Sequence, residues 1–275
     1  MNDKTTVRSA HPVSDDMRAT VLDVLARIER ERDVRVLFAC ESGSRGWGFA
    51  SPDSDYDVRF VYVHRLPWYL TVDAGRDVIE QPDDGTLDVN GWDLRKALQL
   101  LRDSNPTLLE WLRSPIVYAR NEAFAARLRV AAESAFSPVR GYHHYVSMAK
   151  RNLREHLSGE EVRHKKYLYV LRPLLAARWI REQRGAPPMR FAELAEATID
   201  DPVLVAEINA LLAVKMRAGE AATSLRRPAL HDFIERELEA AQASVIVEPH
   251  RMDSRELDRL LRDAVLHWEA VASRD

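Results

Sequence analysis

The 275-residue chain carries 40 Lys and Arg against 43 Asp and Glu, a formal net charge of −3, with 46% hydrophobic residues. That balance excludes a broadly basic nucleic-acid coat and a disordered acidic chain, and leaves a globular protein of one large domain or two small ones. Its one cysteine, Cys40, rules out an internal disulfide framework. No apolar run approaches the ~18 residues of a membrane span. The polar N-terminal MNDKTTVRSAHPVSDD lacks the apolar core of a secretory signal, so a cytoplasmic location is expected.

Residues 16–32 place Val21, Leu22, Leu25 and Ile28 at helical spacing, with Ser14 or Asp15 as the N-cap. VRVLFAC (34–40) and YDVRFVYVH (56–64) then predict strands, being short, apolar and β-branched. RDVIEQ (76–81) predicts a third strand, PDDG a turn, and LDVNGW (87–92) a fourth strand. Asp93 is placed to cap a helix beginning LRKALQLL, and LLEWL makes another after Asn105-Pro106. Beyond about residue 137 strand signals nearly vanish and helical periodicity dominates. The expected organisation is an α+β domain over 1–137 followed by an all-α domain over 138–275.

The stretch GSRGWGFASPDSDYDVRF (43–60) is where chemistry concentrates. Strand alternation would put Asp55 and Asp57 on one face, with Tyr56 opposite. Two carboxylates so close stay ionised only with a cation between them, and hard oxygen ligands suit Mg²⁺ or Mn²⁺. Asp88, on the fourth strand, is the best candidate for a third carboxylate; Asp93 is its rival, but an N-cap is the more economical role for it. Gly43 permits a tight turn. If residues 44–48 start a short helix, its N–H groups and the Ser44 hydroxyl would face a phosphate, with Arg45 adding charge.

ESGSRGWGFASPDSDYDVRFVYV resembles the GS-x(n)-DxD signature of the DNA polymerase β-like nucleotidyltransferase superfamily. The continuation LDVNGWDLRKALQLLRDSNPTLLEWLRSPIVY, with YHHYVSMAKRNLREHL and KKYLYVLRPLLAARWI, is similar to the YcgL-like family, also described as the RNA-repair-pathway polymerase β family. The resemblance spans roughly residues 36 to 185. It implies a mixed sheet with helices on one side, then a helical substrate-binding domain, with NTP as substrate and Mg²⁺ or Mn²⁺ as cofactor. By motif, Gly43 and Ser44 would hold nucleotide phosphates, Asp55 and Asp57 would ligate metal, and Asp88 would help activate the attacking hydroxyl.

In the helical half, Lys165, Tyr169 and Arg172 fall at i, i+4 and i+7 and share a helix face, with Lys166 about 100° away. Together with the resemblance, that face is expected to contact nucleotide. Pro173 removes a helical hydrogen bond to Tyr169. The expected activity is metal-dependent transfer of NMP to an acceptor hydroxyl, an RNA end among the candidates. Nucleotidylation (AMPylation) of a protein or small molecule, and a non-catalytic nucleotide-binding module, are the alternatives. Oligomeric state is not legible.

Overall fold

A computed structural model describes residues 6–8, 11–82, 85–159, 161–218, 223–248 and 254–272. In chain order its first elements are α1 (Asp15–Arg32), β1 (Val34–Glu41), α2 (Gly43–Trp47), β2 (Tyr56–His64), α3 (Leu66–Tyr69), β3 (Val78–Glu80), β4 (Leu87–Asp93), α4 (Leu94–Arg102), α5 (Pro106–Leu112), β5 (Val117–Arg120) and α6 (Glu122–Ala135). There follow α7 (Pro138–His156), β6 (Glu161–Arg163), α8 (His164–Arg181), α9 (Phe191–Thr198), α10 (Pro202–Ala218), β7 (Thr223–Leu225), α11 (Pro228–Ala243) and α12 (Arg255–Ala272). The expected PDDG turn lies partly outside the described residues, at 83–84.

The chain forms two compact units, each built from separate stretches. A sheet unit takes Val13–Gly43, Asp55–Phe136 and His250–Asp275; a helical unit takes Met1–Pro12, Ser44–Ser54 and Ser137–Pro249.

In the sheet unit the strand order is β3-β4-β2-β1-β5. The sheet is mixed: β2 and β4 run parallel, and every other neighbouring pair is antiparallel. Alternation along β2 divides its side chains between two cores. Val61 and Val63 join the core that includes α4, α5, α6 and α12. Val58, Phe60 and Tyr62 join a second core closed by Val21, Leu25 and Ile28 of α1. Helices therefore cover both faces, where the family resemblance led us to expect one. The reason is the amphipathic stripe of α1: each fully buried Leu or Ile gains about 1.5–3 kcal/mol, which fixes that helix to the sheet. Ser14 Oγ accepts from Met17 N at 3.2 Å and caps α1 as its sequence predicts. At Gly91, opposite Phe60 in the β2–β4 pair, a Cβ would stand 2.2 Å from the Phe60 ring, so only glycine admits that ring.

The helical unit is organised around α8, which packs on α7, α9, α10 and α11. Tyr142, Tyr145 and Tyr167 are buried in it. Pro173 sits inside α8 and deprives the Tyr169 carbonyl of its helical donor. The Asn152 amide of α7 donates to that carbonyl at 2.7 Å, so the orphaned acceptor is satisfied. A two-stranded ribbon, β6 with β7, is added where the sequence pattern predicts only helices.

Candidate functional site

β1 ends in a turn whose geometry depends on glycine. Gly43 has φ +52°, and a Cβ built on it would lie 1.7 Å from Asp57 Oδ2 and 2.6 Å from Asp57 Cγ. Positive φ and the absent side chain are thus both required. Two hydrogen bonds pin the turn to β2: Ser42 N donates to the Asp57 carbonyl at 2.8 Å, and Asp57 N donates to Glu41 Oε1 at 2.9 Å. Glu41 is buried, and its other carboxylate oxygen accepts from the Tyr118 hydroxyl. A charged residue closing an apolar strand was the signal for Glu41, and sequence reasoning passed over it.

Asp57 and Asp88 are direct partners across the parallel β2–β4 pair. A guanidinium spans them: Arg59 Nη2 donates to Asp57 Oδ1 at 2.8 Å and to Asp88 Oδ2 at 2.6 Å. Arg59 Nη1 donates to the Val58 and Asp88 carbonyls, both at 3.1 Å. The positive charge that two neighbouring carboxylates require is thus supplied by a side chain two residues along the same strand. Charge-assisted bonds of this kind are worth about 1.5–3 kcal/mol when well shielded, and less here because Asp88 is 40% exposed. Arg59 was missed in the sequence, although alternation along DVR is its signal.

Asp55 is exposed and precedes β2, which begins at Tyr56. The expectation of two aspartates on one strand face therefore reduces to Asp57 within the strand. Asp93 does cap a helix: its carboxylate accepts from Arg95 N at 2.8 Å and from the Tyr69 hydroxyl at 2.6 Å. Burial pushes the Asp93 carboxyl above the usual range, while those two donors oppose the shift. Cys40 is buried in the core, which pushes its thiol far up, so it is no nucleophile.

The remaining candidates lie in the helical unit. Ser44 is buried, and its hydroxyl has no hydrogen-bond partner among the described residues; the same holds for Trp47 Nε1, on the same short helix. Arg45 is buried, with its guanidinium donating to the Ser54 carbonyl at 2.7 Å and the His11 carbonyl at 3.3 Å. On α8, Tyr169 and Arg172 converge on Trp47. The Tyr169 ring meets it edge-on at 5.8 Å, and the Arg172 guanidinium lies 4.7 Å from its ring. Arg172 is only 4% exposed and also donates to the Met189 carbonyl. Lys166 Nζ stands 5.3 Å from the Tyr169 ring and 3.2 Å from His156 Nε2, and Lys165 is half-buried beside it. Lys215, 1% exposed, donates to Ser51 Oγ at 2.9 Å and Ser54 Oγ at 3.0 Å. Within the apolar run ALLAVKMRA it reads as an interruption, and nothing in the sequence says what it holds.

Chemically, Asp57 and Asp88 offer hard carboxylate oxygens of the kind Mg²⁺ and Mn²⁺ take. Among the described residues no set of three or more His, Cys, Asp or Glu gathers as a metal site. No described helix is long and apolar enough to cross a membrane.

A sequence profile of the RNA repair pathway DNA polymerase beta family matches residues 17–263. The uncharacterized protein YcgL of Bacillus subtilis (strain 168) is 45% identical over 251 residues, covering 90% of this chain and 96% of that one. A nucleotidyltransferase-like protein from Exiguobacterium sibiricum 255-15, known from a crystal structure, aligns over 94% of this chain and 81% of its own at 14% identity and a TM-score of 0.30. The chain belongs to the RNA repair pathway DNA polymerase beta family. Its general class of chemistry is that of polymerase β-like nucleotidyltransferases, the transfer of a nucleoside monophosphate.

Proposed function

We propose that this protein is a cytoplasmic, metal-dependent nucleotidyltransferase that moves NMP from an NTP to an acceptor hydroxyl, with an RNA end as the acceptor. The observation that carries the reading is the Asp57–Asp88 pair, in register on adjacent strands with Gly43 packed against Asp57. The RNA end follows from the family's description as an RNA repair pathway family.

Asp55, Asp57 and Asp88 would hold Mg²⁺ or Mn²⁺, which supplies Lewis-acid charge at the phosphates. Gly43 and Ser44 take the triphosphate; the buried Ser44 hydroxyl and Trp47 indole N–H, unpartnered among the described residues, support a polar ligand there. Lys165, Lys166, Tyr169 and Arg172 take further parts of the nucleotide, and Arg45 holds the 44–54 loop in shape. Asp88 accepts the proton of the acceptor hydroxyl. The acceptor oxygen bonds to the α-phosphorus as the bond to the bridging oxygen breaks, and the electron pair leaves on pyrophosphate.

The test incubates the protein with each α-labelled NTP, Mg²⁺, and a mixture of RNA and protein acceptors. Label in RNA with pyrophosphate release is expected. Label in protein would replace RNA with protein nucleotidylation, and NTP binding without pyrophosphate release would overturn the enzyme reading.

A further inference from the structure

We propose that Arg59 is a resident counter-cation of the Asp57–Asp88 pair, and that a divalent ion is admitted only as its Nη2 lets the two carboxylates go. The inference rests on the reading of that pair as metal ligands, and concerns how the pair is kept and opened.

Without Arg59, two carboxylates in direct register on adjacent strands would repel, one would take up a proton, or the strands would shift. Nη2 removes that cost by donating to one oxygen of each, at 2.8 and 2.6 Å. The same two oxygens are therefore engaged by a cation already, and a divalent ion bridging them has to compete with it. The guanidinium is built to yield without leaving. Nη1 is held separately, by the Val58 and Asp88 carbonyls, so a small rotation about that anchor withdraws Nη2 while the side chain stays seated. Arg59 is 17% and Asp57 22% exposed, so that half of the bridge is less screened than a surface pair, while the half to Asp88, 40% exposed, is more open to water. The three groups sum to −1 in either position, but withdrawing Nη2 moves the positive charge off the two facing oxygens, so a dication meets a pair of carboxylates less screened by their counter-charge. Arg59 is accordingly a positioning residue: it preserves the carboxylate geometry in the metal-free protein and sets the ion concentration at which the site loads.

The test measures Mn²⁺ binding to the full chain by calorimetry, for the wild type, Arg59→Met, Arg59→Lys, Lys96→Gln and Asp57→Asn, with circular dichroism on each. Arg59→Met should bind on the order of tenfold more tightly, the equivalent of one lost charge-assisted hydrogen bond to the competitor. Arg59→Lys, unable to reach both carboxylates and both carbonyls, should move the same way by less, and it decides the matter if the Met variant does not fold. Lys96→Gln removes an equal charge from α4, where Lys96 pairs with Asp77, and should leave affinity unchanged. Unchanged or weaker binding in the Arg59 variants, or an equal gain in Lys96→Gln, overturns the proposal. Asp57→Asn should abolish binding. If it does not, or if no variant binds Mn²⁺, the assignment of the carboxylates as metal ligands falls, and the role of Arg59 with it.

Discussion

Gly43 and Asp57 touch so closely that a single methyl on the glycine would stand 1.7 Å from the carboxylate oxygen. The two motifs of the stretch 43–60, the glycine turn and the aspartate strand, are therefore one packed unit of structure. Gly43→Ala would add about 1–2 kcal/mol of left-handed backbone strain and force Asp57 off its position. Denaturant unfolding should show a loss of at least that size, with nucleotidyl transfer falling further than stability explains. Wild-type activity in the alanine variant would sink the assignment of Asp57.

Asp88 and Asp93 are separated by what each holds. Asp88→Asn should reduce NMP transfer by at least ~100-fold with little change in melting temperature, because a half-exposed carboxylate contributes little to folding. Asp93→Ala removes a helix cap and the acceptor of the Tyr69 O–H, whose oxygen keeps only the His64 N–H, at about 2–3 kcal/mol. Urea titrations of the two variants, beside pyrophosphate-release assays, should show opposite rankings.

His64 stacks on Trp68 at 4.1 Å, and its Nε2 is buried without a partner among the described residues. Burial lowers its pKa from 6.5 to about 4, against a smaller opposing pull from Asp33. In the unfolded chain the ring takes a proton near pH 6.5; in the fold it does not until about pH 4. Stability should therefore fall as pH drops through that window and level off below it. His64→Phe keeps an aromatic ring on Trp68 and should flatten this slope, measured as melting temperature from pH 4 to 7. An unaltered slope would exclude His64 as its source.

Lys215 secures the loop that carries Ser51 and Ser54. Lys215→Ala should cost about 2–4 kcal/mol through the cavity and the lost hydrogen bonds. Limited proteolysis should then cut near residues 51–54 faster than in the wild type, where Ser51 and Ser54 are buried.

Much of this architecture was legible. YDVRFVYVH spans β2 as observed, Ser14 and Asp93 cap the helices their positions suggested, and Pro173 did release the Tyr169 carbonyl. These are local effects, decided within a turn or two of chain. What the sequence hid is pairing at a distance. The third predicted strand, 76–81, shrinks to Val78–Glu80, and the four residues of β5 left no periodic trace. The sequence offers Asp88 as a candidate without its register opposite Asp57, and alternation along DVR puts Arg59 on the face of Asp57 without saying that it reaches Asp88. Arg172 is legible as a member of a face expected to contact nucleotide; its burial is not, nor is the ring that Trp47, over a hundred residues earlier, offers it. Lys215 is hidden by the same kind of distance, since its partners lie about 160 residues away.

The parallel register of β2 and β4 has one more consequence. Side chains alternate faces with a period of two, so slipping β4 by one residue would replace Asp88 opposite Asp57 with Leu87 or Val89. The connection between the strands does not set this alignment; the apolar faces on either side of the sheet do. Length changes between residues 70 and 74 should be absorbed without disturbing the carboxylates, since Asp77 accepts from Asp93 N at the end of β4, whereas a one-residue slip of β4 would separate the pair with both carboxylates still in the sequence.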